Sequence, residues 1–289
     1  MLFVAMAAML PASMSAYDFK EGDLYYNVNG NEAAVTFEVE NVGSYSGDVV
    51  IPETVVHNGV EYAVTAIGYK AFAYCYNMTS IEIPNSIDSI SSHAFRNCEQ
   101  LQSVVIPNSV VTLYPCAFHS CTGLKSAVIG NSVSVINDYC FQYCYQLTDV
   151  VIGSSVTYLG IKVFYDCPSL RKVTCLAPVP PAMYAWYSFY DYNYYDVTVY
   201  VPASSLTLYQ TTVPWSYFYD IQPIPEVMSG DVDGDGILSI NDVTMIINYL
   251  LGRDLTDFNL DAADVDGNGR VNIDDVTELI DYLLGTLSN

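Results

Sequence analysis

Positive charge is scarce in this sequence. Nine Lys and Arg stand against 32 Asp and Glu over 289 residues, a formal net charge of −23. A chain this acidic is repelled by phosphate backbones and anionic lipid, which excludes nucleic-acid and membrane-surface partners. Histidine is nearly absent. His57, His93 and His119 occupy unrelated positions, and no nucleophile elbow, phosphate loop or Cys-His zinc spacing accompanies them, so the chain reads as no enzyme. Long apolar runs are missing except at residues 1–16, MLFVAMAAMLPASMSA. That run is too short to span a bilayer comfortably. It ends in small residues like a secretory signal peptide. Its missing Lys/Arg n-region leaves open a start further upstream, and a short buried segment is the alternative. No cysteine precedes Cys75, which argues against a lipid anchor and for a freely exported chain.

Core-forming residues are plentiful. Apolar types make up 52% of the chain, so composition does not mark it as disordered. Charge is unevenly spread. Residues 1–226 hold 7 Lys/Arg and 19 Asp/Glu, a net of −12, whereas the short stretch 227–289 holds 2 and 13, a net of −11. That shift marks a domain boundary.

The first part repeats. Phe72, Phe95, Phe118, Phe141 and Phe164 are each 23 residues apart, as are Cys75, Cys98, Cys121, Cys144 and Cys167. Met78, Leu101, Leu124, Leu147 and Leu170 keep the same step, and so do Ile67, Ile90, Leu113, Ile136 and Leu159. A unit of this length with this Leu/Ile pattern falls in the leucine-rich-repeat range. SVVIPNSV (103–110) is β-branched and broken by Pro-Asn, hence strand then turn. In AFRNCEQL (94–101) apolar residues recur every third position, so that arc is expected to be helical or 3₁₀. No unit buries its apolar face alone, so neighbours must stack and the ends need caps. The expected layout is a signal peptide (1–16), an N-terminal β cap (17–66), a five-copy solenoid (67–175), a C-terminal cap (176–222), a linker (223–229) and a separate acidic domain (230–289).

The stretch IPNSIDSISSHAFRNCEQLQSVVIPNSV (83–110) and its copies resemble the BspA-type leucine-rich repeats of bacterial surface and secreted proteins. VTVYVPASSLTLYQ (197–210) followed by Trp215 looks like that family's end cap. The resemblance implies a repeat solenoid that binds proteins or glycans, or spaces other modules.

Two surfaces of the solenoid invite a functional reading. Strand alternation points Ser103, Ser126, Asp149 and Lys172 outward beside Glu82, Val105, Val128 and Val151. A row of outward valines on the concave sheet could be a binding stripe or simple β-propensity. The run MYAWYSFYDYNYYDVTVY (183–200) either offers exposed aromatics or plugs the last repeat. The eight cysteines are even in number, which would suit disulfides in an exported chain. The five on the repeat ladder point inward, however, and stacked helical arcs are expected to lie beyond the ~7 Å Cα separation a disulfide spans. A reduced core ladder is favoured. Cys116, Cys140 and Cys175 fall off that ladder.

The acidic tail duplicates a loop. DVDGDGILSINDV (231–243) returns as DVDGNGRVNIDDV (264–276). A hard cation such as Ca²⁺ takes six to eight oxygens, and alternating acidic side chains on a tight glycine-containing loop can supply them. Loop positions 1, 3, 5 and 12 are Asp231, Asp233, Asp235 and Asp242, then Asp264, Asp266, Asn268 and Asp275. Ile237 and Arg270 would offer backbone carbonyls at position 7, and Ser239 and Asn272 would reach the ion through water at position 9. Two Ca²⁺ ions are expected. Each loop leads into an amphipathic helix whose apolar face is Val243, Ile246, Ile247 and Leu250, or Val276, Leu279, Ile280 and Leu283. Gly252 and Gly285 terminate the two helices. The expected domain is small, all-α, and made of two loop-helix motifs.

A loop followed only by an exiting helix, twice, with Asp at position 12, resembles a type I dockerin. The resemblance implies a cohesin-like partner and a place in an extracellular assembly, such as one serving polysaccharide catabolism. It assigns partner choice to loop positions 10 and 11, here Ile240–Asn241 and Ile273–Asp274. The near-identity of the halves would allow docking in two orientations. The helical Lys/Arg of many cellulosomal dockerins is absent from IINYLL and LIDYLL, which puts the type of partner in doubt. The expected function is a secreted, non-catalytic scaffold whose solenoid is attached through a calcium-dependent tail. The alternative is an adhesin whose solenoid binds host or neighbour-cell proteins or glycans, with the tail a calcium-stabilised end module.

Overall fold

Asn58-Gly59, with both residues at positive φ (52° and 79°), makes a tight hairpin of the favoured kind near the N-terminus. It belongs to a computed structural model that describes residues 17–183, 187–190, 192–224, 229–233, 238–253, 255 and 258–285. The expected signal peptide, 1–16, lies outside the described residues. The chain forms two compact units, 1–224 and 225–289. Among the described residues no helix is long and apolar enough to cross a membrane.

In the first unit, β1 (Phe19–Glu21), β2 (Leu24–Asn29) and β3 (Glu32–Thr36) form an antiparallel meander. After β4 (Gly47–Val50), strands β5 (Thr54–His57) and β6 (Val60–Ile67) form the Asn58-Gly59 hairpin. β3 pairs parallel with β6, with a register shift between Ala33 and Ala34, and so joins the antiparallel cap to the repeats. Each repeat then supplies two parallel strands. The longer ones are β7 (Met78–Glu82), β9 (Ser103–Ile106), β11 (Ser126–Ile129), β13 (Asp149–Ile152) and β15 (Lys172–Cys175). The two-residue ones alternate with them: β8 (Ser89–Ile90), β10 (Thr112–Leu113), β12 (Val135–Ile136), β14 (Tyr158–Leu159) and β16 (Ala182–Met183). Ser103 faces Ser126 and Ser126 faces Asp149, the register that the repeat period demands. The short strands carry the repeated Ile90, Leu113, Ile136 and Leu159, but two residues are too few to announce a strand by alternation.

The arc between the two strands departs from expectation. It is neither helical nor 3₁₀. It is a run of overlapping turns, such as Ala71 N to Gly68 O (3.1 Å), Ala73 N to Lys70 O (3.0 Å) and Cys75 N to Phe72 O (3.2 Å). Alternate amides face the next repeat: Phe72 N donates to Ala94 O (2.7 Å), Phe95 N to Ala117 O (2.7 Å) and Phe118 N to Cys140 O (2.8 Å). A 3₁₀ helix would spend its interior amides on its own carbonyls. The alternation needs left-handed residues at two places per repeat. These are Lys70, His93, Cys116, Tyr139 and Lys162, then Tyr74, Asn97, Ser120, Tyr143 and Asp166, all with φ between 55° and 64°. Such a conformation costs an L-residue roughly 1–2 kcal/mol, which the inter-repeat hydrogen bonds must offset.

This arc corrects the cysteine argument. Hydrogen-bonded backbones lie about 4.8 Å apart, within the disulfide limit, so separation does not keep the ladder reduced. All eight cysteines are nonetheless free thiols. Sγ of Cys98, Cys121, Cys144 and Cys167 donates to O of Phe72, Phe95, Phe118 and Phe141, at 3.1, 3.0, 3.3 and 3.2 Å. Cys140 and Cys175 are buried as well, and Cys116 is half-buried. Burial pushes the Cys75 thiol up to about 11 and Cys167 up to about 12.

The phenylalanines stack beside the thiols. Ring centroids of Phe72, Phe95, Phe118, Phe141 and Phe164 are 5.0, 4.8, 5.2 and 5.5 Å apart in succession, with planes within 12°. The ladder continues one step beyond the expected five copies. Phe189 stacks on Phe164 at 5.2 Å, although it comes later in the chain than the repeat period would place it. Tyr45 closes one end at 4.8 Å from Phe72, and Phe218 and Trp215 close the other against Phe189. Around Trp215 lie α1 (Asn193–Asp196), β17 (Thr198–Val201), α2 (Leu206–Thr211) and β18 (Asp220–Pro223), with β17 and β18 extending the long-strand sheet. Of the Tyr-rich run, residues 184–186 and 191 lie outside the described residues. Phe189 and Tyr194 are buried, whereas Tyr187 and Tyr195 are exposed.

The second unit holds α3 (Ile240–Leu250), α4 (Leu260–Ala263) and α5 (Ile273–Leu283). Its core is Val232, Val243, Ile246, Ala262, Ala263, Val276 and Leu279. α4 was not foreseen: four residues are too few for a periodic signal, and Asn259 Oδ1 makes the helix start by accepting from Asp261 N and Ala262 N. The expected apolar faces are corrected in part. Val243, Ile246, Val276 and Leu279 are buried, but Ile247 and Leu250 are each 38% exposed and Leu283 37%. A core this small covers only one narrow side of each helix.

Candidate functional site

The acidic loops owe their shape to the carboxylates at their ends. Asp242 and Asp275 sit in the first turn of α3 and α5, fully buried. Asp275 Oδ1 accepts Val265 N (2.8 Å) and Asp266 N (3.2 Å), while Oδ2 accepts Asn272 N (2.7 Å). Asp242 repeats the frame: Oδ1 accepts Val232 N (2.9 Å) and Asp233 N (3.3 Å), and Oδ2 accepts Ser239 N (2.9 Å). Each carboxylate thus ties the start of its loop to the start of its helix. Ser239 Oγ and Asn272 Oδ1 accept from Asn241 N and Asp274 N, so these two side chains serve as helix caps.

The frame gathers negative charge. One carboxylate oxygen from each of Asp231, Asp233 and Asp242 lies within 4.8 Å of the others, and the same holds for Asp264, Asp266 and Asp275. Asp264 also accepts Asn268 N (3.0 Å) and Gly269 N (2.8 Å), which curls the loop, and Gly269 takes φ +83° there. Asn268 Nδ2 reaches Asp266 Oδ2 at 2.5 Å. Arg270 is exposed. Asp235 and Ile237 lie outside the described residues. Two like charges 4.8 Å apart repel by about 0.9 kcal/mol in water and by several-fold more near a protein. Among the described residues the one ion pair is Lys70–Glu40, so no Lys or Arg neutralises Asp242 or Asp275. Oxygen-only donor sets with fixed, buried carboxylates fit a hard divalent cation such as Ca²⁺.

The residues assigned to partner choice are accessible. Ile240 is 66% and Ile273 63% exposed, and Asn241 and Asp274 are exposed beside them.

In the solenoid, Val104, Ala127, Val150 and Val173 are buried, and the alternate positions face out. Val105 is 62% and Val128 39% exposed, Val151 is half-buried, and Glu82, Asp149 and Lys172 are exposed. The valines line a shallow groove of about 460 Å³ with Asn85, Asn108 and Asn131 along its edge. Asn108 Oδ1 accepts Asn131 N (2.6 Å) and Asn131 Oδ1 accepts Ser154 N (3.1 Å), so these side chains rung one repeat to the next. Lys172 Nζ lies 5.4 Å from the centre of the Tyr200 ring.

Comparison with known proteins agrees with this division. Residues 65–191 match the BspA type leucine rich repeat region, in six copies, and residues 229–284 match the dockerin type I domain. No curated protein matches the chain. Among solved structures, a leucine-rich repeat protein of T. pallidum is 28% identical, over 53% of this chain and 68% of that one, with a TM-score of 0.46. A leucine-rich cell surface protein of Faecalibacterium prausnitzii is 21% identical over 73% and 74%, with a TM-score of 0.39. The pneumococcal vaccine antigen PcpA is 21% identical over 54% and 49%, with a TM-score of 0.41. The chain therefore carries a BspA-type leucine-rich repeat region followed by a dockerin type I domain.

Proposed function

We propose that this is a non-catalytic secreted binding protein, its solenoid held on an extracellular assembly or cell surface by a calcium-dependent bond between its tail and a cohesin-type module. One observation supports this most: two matching frames, one per acidic loop, hold the buried Asp242 and Asp275 among further carboxylates, and among the described residues no Lys or Arg forms an ion pair with either. Two Ca²⁺ ions would be held by Asp231, Asp233, Asp235, Asp242 and the Ile237 carbonyl, and by Asp264, Asp266, Asn268, Asp275 and the Arg270 carbonyl. Ser239 and Asn272 would contribute through water while capping their helices. When bound, Ca²⁺ supplies the positive charge that lets these carboxylates sit together.

The chain's own residues do the rest. The position-12 carboxylates couple loop closure to the helix starts, so whatever stabilises the loops also orders the helices that carry Ile240, Asn241, Ile273 and Asp274. The test titrates Ca²⁺ into the EGTA-treated chain and follows helicity and retention on immobilised cohesin modules. Gain of both with Ca²⁺ supports the reading; a chain equally helical in EGTA and Ca²⁺ removes the metal from it. The adhesin reading draws on the exposed Val105 and Val128. It predicts that the solenoid binds cell-surface protein or glycan whether or not Ca²⁺ is present.

A further inference from the structure

The two outward helix faces of the tail are not copies of each other. On α3, Ile240, Thr244, Ile247 and Leu251 recur at i, i+4, i+7 and i+11 and form one stripe. Ile240 is 66%, Ile247 38% and Leu251 63% exposed. On α5 the same stripe is Ile273, Thr277, Ile280 and Leu284, with Ile273 63% and Leu284 71% exposed and Ile280 partly buried against the core. Apart from Ile280, which sits deeper than Ile247, the two stripes agree at their ends. Beside the stripe they part. α3 carries Asn241, Met245 and Asn248, and Arg253 Nη1 donates to Asn248 Oδ1 at 2.7 Å. α5 carries Asp274, Glu278 and Asp281 at the corresponding positions. One apolar stripe is flanked by neutral groups and a guanidinium, the other by three carboxylates.

We propose that the tail has two non-equivalent docking faces, and that the α5 face selects a protein module whose apolar contact patch is rimmed by Lys or Arg. This rests on the docking reading above. The shared apolar stripe supplies contact area to either orientation. Charges at an interface rim act over roughly a Debye length of about 10 Å, and govern association rate and rejection of like charge more than contact energy. Docked in the opposite orientation, a basic-rimmed module would set its cations against Arg253 instead of Asp274, Glu278 and Asp281. The orientational freedom expected from the duplicated sequence is therefore lost for such a partner and kept for a neutral one.

The experiment uses the intact chain in Ca²⁺ and two probes: a cohesin module with Lys/Arg around its contact patch, and the same module with those residues changed to Gln. Ile240→Ser and Ile273→Ser each blunt one face at an exposed position. For the basic module, Ile273→Ser should weaken binding by about tenfold and Ile240→Ser by less than about threefold. The triple variant Asp274→Asn, Glu278→Met, Asp281→Asn should lose about tenfold, with most of its salt dependence. The Gln-rimmed module should respond equally to Ile240→Ser and Ile273→Ser. Equal losses from the two serine variants with the basic module, or a triple variant that binds it like wild type, would overturn the proposal. A wild-type chain that gains helicity with Ca²⁺ yet binds neither module overturns the docking reading itself, and the selection proposal with it.

Discussion

Replacing Asp275 with Asn separates what the loop frame owes to hydrogen bonding from what it owes to charge. The side chain keeps its volume in a fully buried site. It can still accept Val265 N and Asp266 N through its one remaining oxygen, but its amide then faces Asn272 N–H, and the capping box is lost. Losing that cap should cost about 1–2 kcal/mol. Against this, the variant removes repulsion with Asp264 and Asp266, at least about 0.9 kcal/mol for each pair at 4.8 Å. The two effects oppose each other, so metal-free stability should fall by no more than the cost of the cap, about 2 kcal/mol. In Ca²⁺ the balance changes. Wild type should gain about 2.7 kcal/mol when free Ca²⁺ is a hundred times the dissociation constant. Each tenfold loss of affinity in the variant should remove about 1.4 kcal/mol of that gain. Both tryptophans, Trp186 and Trp215, belong to the first unit, so tryptophan fluorescence reports on that unit. Denaturant melts of the intact chain, read by circular dichroism at the helix band with and without Ca²⁺, report on the tail. If Asp275→Asn gains as much from Ca²⁺ as wild type does, the position-12 carboxylate is no ligand and the cage is wrongly drawn.

Phe118→Ala empties a fully buried ring between Phe95 and Phe141 and should cost the solenoid about 3–5 kcal/mol in urea melts followed by fluorescence; a cost below about 1 kcal/mol would contradict the stacked ladder. Val128→Lys should leave the same melt within about 1 kcal/mol of wild type, because the side chain already faces water; a loss of several kcal/mol would mean the strand is turned over. The thiols give a pH signature. Cys75 has its folded-state value raised to about 11 by burial, above the unfolded value of about 8.5, so the native state binds more protons in between. Its stabilising contribution should be complete below about pH 8.5 and fall as pH rises toward 11, with Cys167 acting in the same direction. Urea midpoints across that range check this, and a rise would refute it. A thiol reagent at neutral pH should modify Cys116 first, since it is half-buried and the other seven cysteines are buried.

Much of the fold was legible because a fixed period names the residues that stack. The regular step of Phe, Cys, Leu and Ile determined which side chains share the core, whatever the backbone between them does. The duplicated Asp-x-Asp spacing likewise marked the acidic loops, since residue types and their intervals are what gather three carboxylates in each. The sixth turn escaped because its Phe189 comes late, and stacking tolerates a bulged loop that a strict period does not. The arcs escaped because Lys70, His93, Cys116 and Tyr139 are poor advertisements for a left-handed backbone. They adopt it only because the next repeat presents a carbonyl to each free amide, as Ala94 does to Phe72. Helix ends show the same division. Ser239 and Asn272 were legible as loop residues, but their use as caps shows only where Asn241 N and Asp274 N donate to them while their own amides donate to the inward-turned Asp242 and Asp275.

The sequence alone determined the periodic core, the acidic loops and the break between the two units, since each depends on residue type and interval. Tertiary structure decided where the backbone amides go. A carboxylate such as Asp275 closes its loop only when it is brought within 2.8 Å of the distant Val265 amide, and which apolar residues of α3 and α5 stay in water depends on how little core a unit of this size can bury.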